Sequence, residues 1–119
     1  MLSPQEIMDG LQAKNRLLTQ KNEEYIKLVE KRAEAERRYN VMVATETFTL
    51  KSNDHPITII DKLVKGNKTV SNLKYDYDVA QGVEKACLES IKDIRTAIDS
   101  YRSLLTWLRA EMTIGTPDA

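Results

Sequence analysis

The chain reads as an all-α protein: an antiparallel hairpin of two long helices with a short helix at the tip, assembling into an oligomeric helical bundle. Three observations predict this. Apolar residues recur at alternating three- and four-residue steps from Val70 to Met112, which places one stripe on one face of a single helix. A second stretch of similar length, from Pro4 to Leu50, contains no proline after its first residue. Between the two lies a segment of about a dozen residues opened by Pro56 and closed by Gly66.

Ser3-Pro4-Gln5-Glu6 starts the first helix, with Ser3 placed to cap, Pro4 at the first helical position and Glu6 completing a capping box. Met8, Leu11, Asn15, Leu18, Asn22, Tyr25 and Val29 form its seam at heptad spacing. The apolar line then shifts phase through Ala33, Ala35, Tyr39, Met42 and Val43, as a stutter would. The helix is expected over about 4–50. Ser52 to His55 is a loop by composition, and Pro56 opens a short helix over 56–65 with an apolar face of Ile57, Ile60 and Val64. Gly66 is read as its stop, and Asn67 or Thr69 as the cap of the last helix, over 69–112. Residues 113–119, containing Gly115 and Pro117, read as a flexible tail.

The stripe of the last helix runs Val70, Leu73, Tyr77, Ala80, Glu84, Cys87, Ile91, Ile94, Ile98, Tyr101, Leu105, Leu108 and Met112, and only Glu84 interrupts it. Such a stripe needs a partner of comparable length. Further apolar residues (Leu17, Ile26, Leu28, Val79, Val83, Leu88, Leu104 and Trp107) lie outside the two seams, so contact with more than one helix is expected. The predicted assembly is a homo-oligomer, most simply a dimer forming a four-helix bundle. Its rival is a three-helix monomer with the short helix folded back. The interface is assigned to Leu11, Asn15, Leu18, Asn22, Tyr25, Ile91, Ile94, Ile98, Tyr101, Leu105, Trp107 and Leu108. Asn15 and Asn22, one heptad apart, suit either control of register or an exposed end of the bundle.

The 119 residues suit one domain, with 41% apolar and 30% charged side chains. Net charge is zero, so no global field draws the chain to nucleic acid or membrane. A single cysteine rules out an intrachain disulfide and fits a reducing cytosol. The start carries no basic-then-apolar leader, and no run of about 18 apolar residues occurs, so a cytoplasmic protein without membrane contact is expected.

Catalytic signatures are missing. The lone histidine, His55, sits in a loop, and Cys87 lies on an apolar stripe with no base in the pattern. The combined Glu-x-x-Glu and Glu-x-x-Asp set of helical pyrophosphohydrolases, the Glu-x-x-His of di-iron bundles and glycine-rich phosphate loops do not occur. No enzymatic activity, cofactor or metal is therefore expected. Lys31-Arg32 and Arg37-Arg38 alternate with Glu30, Glu34 and Glu36 and read as a charge-balanced face. Between Leu50 and Tyr75, Lys51, Lys62, Lys65, Lys68 and Lys74 face only Asp54 and Asp61. Of these, Lys62, Lys65, Lys68 and Lys74 are the candidates for contact with DNA phosphates, against the simpler reading of a solvated loop.

Ala35-Glu36-Arg37-Arg38-Tyr39, Pro56 to Ile60, Leu63 to Gly66 and Ser103 to Trp107 resemble motifs of small helical proteins from the early regions of Firmicute phages and prophages. The resemblance covers about residues 30–112. Asn67-Lys68 departs from it, since the group usually has acidic residues there. The resemblance implies no known activity. It implies a setting in phage replication or recombination, or in interference with a host system. The expected partners are therefore the chain itself and an unidentified phage or host protein, with a nucleic-acid-binding module as the alternative.

Overall fold

The computed structural model describes residues 2–115, which form α1 (Pro4–Ser52), α2 (Ile57–Gly66) and α3 (Lys68–Gly115). Among the described residues there is no strand, so the protein is all-α. The Ser3 hydroxyl accepts the Glu6 N–H at 3.1 Å and satisfies one of the first orphan donors of α1. At the other end, Asp54 adopts the left-handed conformation (φ 61°). It donates its N–H to the Lys51 carbonyl at 3.2 Å, while His55 donates to the Leu50 carbonyl at 3.1 Å. These are the two crossed bonds of a Schellman motif, with an aspartate where glycine is commoner.

α2 ends on Asn67 rather than on Gly66. Gly66 is the last helical residue and has no positive φ, whereas Asn67 is extended (φ −66°, ψ 129°). The Asn67 side chain then accepts the Val70 N–H at 3.0 Å, so one residue closes α2 and caps α3. α3 runs to Gly115, three residues past the expected end, because a proline constrains the residue just before it and Pro117 leaves the turn at Gly115 free. Of the expected 113–119 tail, residues 116–119 lie outside the described residues.

Contacts gather in two compact units. The terminal unit comprises Met1–Glu24 and Cys87–Ala119, and the central unit comprises Tyr25–Ala86. In the terminal unit the two helical stretches run antiparallel. Gly10 lies against Tyr101, so close that a Cβ there would come within 2.7 Å of the ring. Eleven residues on, the Lys21 carbonyl accepts the Cys87 thiol at 3.7 Å. Ile7, Cys87, Ile91, Ile94 and Ile98 form the core between them. Burying an isoleucine contributes roughly 1.5–3 kcal/mol, so these few residues dominate the unit's cohesion.

The central unit has three helices. Ile60 and Val64 of α2 and Val70 of α3 are buried, with Tyr39, Met42, Val43 and Leu50 of α1 packed around them. Further along, Tyr39 stacks on Tyr77 (6.1 Å between centroids) and Arg32 of α1 meets Glu84 of α3 at 2.8 Å.

The α3 stripe is buried or half-buried from Val70 to Leu108; Met112 is exposed. The α1 line requires correction. Its inward residues in the terminal unit are Ile7, Leu11, Lys14, Leu18 and Lys21, whereas Met8, Asn15 and Asn22 are exposed. Lysine stems are apolar and can lie along a helix contact with the ammonium at its rim, so a line begun on Met8 instead of Ile7 stands one position off at every other step. Tyr25, Leu28, Arg32, Ala35, Tyr39 and Met42 continue the same three- and four-residue steps in the central unit, and no stutter is needed.

Candidate protein-interaction surfaces

Helix register sorts the outward positions of the terminal unit into two edges. Leu2, Ile7, Leu104, Trp107 and Leu108 together line one shallow depression, which fixes the first edge. The same register adds Glu6, Gly10, Ala13, Leu17 and Glu24 from α1, and Ser90, Asp93, Ala97, Ser100 and Glu111 from α3. Trp107 is 54% exposed, Leu2 50% and Leu104 40%. Glu24 is met by Lys21 at 3.1 Å, which leaves Glu6, Asp93 and Glu111 as the edge's remaining carboxylates.

The second edge is fixed by a depression lined by Asn15, Leu18, Arg95, Ile98, Asp99 and Arg102. All four α3 cations of this unit, Lys92, Arg95, Arg102 and Arg109, fall on this side. From α1 it receives the uncharged Met8, Gln12, Asn15, Thr19 and Asn22. The terminal unit is thus two-sided: one edge apolar with a carboxylate fringe, the other polar and basic.

The sequence-assigned interface residues divide accordingly. Ile91, Ile94 and Ile98 are buried within the single chain, at 2%, 6% and 4% exposure. They are covered by the chain's own α1, so the long stripe that called for a partner already has one. Leu11, Leu18, Tyr25, Tyr101, Leu105 and Leu108 are half-buried, and Asn15, Asn22 and Trp107 are exposed. Only this last group stands exposed to a second molecule.

In the central unit, Arg32 bridges Glu84 and Glu36 at 2.8 and 2.9 Å, and the hydrogen bond to Glu84 raises the guanidinium pKa most. The lone carboxylate on the α3 stripe is therefore answered by a cation on α1, a pairing the charge-balanced reading of residues 30–38 did not foresee. The apolar company of Glu84 was the signal, since a half-buried carboxylate demands a partner. On the outer side, hydrogen bonds from Arg37 and Arg38 hold the Glu34 carboxyl down at about 2.

The four candidate phosphate-contacting lysines are all exposed, but two are engaged within the chain. Lys65 pairs with Asp61 at 3.1 Å. Lys74 donates to Asp78 at 2.9 Å, which raises its pKa, and lies over the Tyr39 and Tyr77 rings at 5.5 and 5.3 Å. Large apolar side chains stand out here as well, with Phe48 73% and Ile57 81% exposed. Among the described residues no group of three or more His, Cys, Asp or Glu is placed to hold a metal ion, and no helix is long and apolar enough to cross a membrane.

Compared with protein-family models, with curated proteins and with solved structures, the chain matches none.

Proposed function

We propose that the protein is a non-enzymatic helical interaction protein, which works by adding its two-helix terminal unit to helices supplied by another molecule. The supporting observation is the open edge bearing Leu2, Leu104 and Trp107. Three large apolar side chains sit together in water beside the small residues Ala97 and Ser100, which allow close approach of another backbone. Exposed aromatic and aliphatic residues grouped in this way mark contact surfaces. A second copy is one source of extra helices, giving a dimeric four-helix bundle. The resemblance to early-region phage proteins sets the wider role: binding a component of phage replication or recombination, or a host protein, in the bacterial cytoplasm.

Nucleic-acid binding through Lys62, Lys65, Lys68 and Lys74 receives less support, because Lys65 and Lys74 already have carboxylate partners. Light scattering tests self-association directly: a dimer mass across micromolar concentrations makes a second copy the source of those helices, and a monomer mass leaves them to another protein. Pull-down from bacterial lysate with and without phage infection tests the partner. A monomer that captures nothing in either lysate, yet binds DNA with a steep salt dependence, would replace this reading with the nucleic-acid one.

A further inference from the structure

The two edges of the terminal unit differ in charge as well as in polarity, and the difference restricts what can cover the apolar one. Among the described residues, no lysine or arginine occupies the outward register positions of the edge that carries Leu2, Leu104 and Trp107, and Lys21, whose ammonium reaches its rim, is taken up by Glu24 at 3.1 Å. Glu6, Asp93 and Glu111 do. The last turn of α3 has no basic residue either, so the negative end of its dipole is not offset by its own side chains. An apolar strip with carboxylates at its rim favours an occupant with apolar residues down its centre and cations along its sides.

We propose that this edge docks a basic amphipathic helix from another protein, seated lengthwise between α1 and α3 with Trp107 and Leu104 as its anchors. The inference rests on the interaction reading above and names the chemistry of the partner. A second copy of the chain fits this edge less well. Its basic edge offers Asn15, Thr19 and Asn22 where the strip wants large apolar groups, and the acidic edge of another copy would set carboxylate against carboxylate.

Trp107 is the chain's only tryptophan, so its fluorescence reports this edge alone. The test titrates the full chain with a synthetic three-heptad helical peptide, leucine at the a and d positions and lysine at e and g. The control peptide has glutamate in place of lysine. The lysine peptide is expected to shift Trp107 emission to the blue and to weaken as salt rises. The glutamate peptide is expected to leave the emission unchanged. Peptide anisotropy then follows the variants. Trp107→Ala should weaken binding about 30-fold, as a central anchor does. Asp93→Lys with Glu111→Lys should abolish the preference for the lysine peptide. These residues are exposed, and circular dichroism checks that helicity is kept. Equal binding of both peptides, or binding that survives Trp107→Ala, overturns the inference. So does a self-associated state in which Trp107 emission is already blue-shifted, although that result would leave the interaction reading intact. A lysine peptide that shifts nothing, with the protein monomeric by light scattering, sinks both.

Discussion

The central unit has three helices around its core, and the terminal unit has two. In the central unit, α2 supplies Ile60 and Val64 to a cluster with Val70, and α1 contributes Tyr39, Met42, Val43 and Leu50 around it. In the terminal unit, α1 and α3 bury Ile7, Cys87, Ile91, Ile94 and Ile98 between themselves, and among the described residues no third helix packs on them. A pair of helices can cover one stripe on each member and no more, so Leu2, Leu104 and Trp107 stay in water. The difference teaches where a partner is wanted. Part of the central unit carries its own third helix, while the terminal unit presents the position such a helix would fill.

The comparison is tested hardest through the cores. Ile91→Ala should cost about 2–5 kcal/mol, since the side chain is almost fully buried and the neighbouring helices can close only partly on the cavity. Ile60→Ala should fall in the same range. What separates them is location. Hydrogen exchange should show protection lost mainly in the terminal unit for Ile91→Ala and mainly in the central unit for Ile60→Ala. Equal loss everywhere in both variants would mean a single cooperative block, and the contrast between units would carry no energetic meaning.

A smaller effect, in the central unit only, is expected at the Arg32–Glu84 pair. Arg32→Ala leaves the Glu84 carboxylate half-buried without its main partner, and thermal unfolding should fall. Replacing both residues by leucine should recover much of the loss, because two apolar residues suit the stripe better than one stranded charge. If Arg32→Ala alone is neutral, the pair is merely a surface ornament of this helix contact.

Smaller still are two backbone changes. Gly82 sits in the middle of α3 with nothing within 4 Å of where a Cβ would be. Gly82→Ala should stabilise by roughly 0.5–1 kcal/mol through helix propensity alone. Asp54 pays the usual steric cost of a left-handed residue, so Asp54→Gly should stabilise by about 1 kcal/mol. Chemical denaturation would measure both. A loss of stability in either variant means the side chain or the missing one has a role the geometry does not display.

How far these features were legible follows from the residues themselves. The α3 stripe could be read because nearly every inward position is apolar, and the one exception, Glu84, advertised a missing partner. The α1 line could not be read as well, because Lys14, Lys21 and Arg32 occupy inward positions with their stems, while Met8 offered a false apolar anchor one residue away. Gly10 was passed over because only the three-dimensional contact with the Tyr101 ring explains a glycine inside that helix. The two-sided charge of the terminal unit was present in the order of residues all along. It became visible only when the correct inward line fixed which positions turn outward.

The least of the expected effects concerns Glu34, which lies on an outer face of the central unit. Hydrogen bonds from Arg37 and Arg38 stabilise its ionised form and hold its pKa near 2, against 4.5 for a free side chain. A depressed carboxylate contributes stability above its unfolded pKa. That contribution is lost as pH falls through the folded value, here in the window from about 4.5 down to about 2. Glu34→Gln should therefore lower the melting temperature slightly at pH 7, with the difference shrinking toward pH 2 and gone below it. Exposure and salt screening keep the effect small. A carboxyl titration by NMR with a midpoint near 4.5 would show that Arg37 and Arg38 are spending their time in solvent, and that these pairs add nothing to α1.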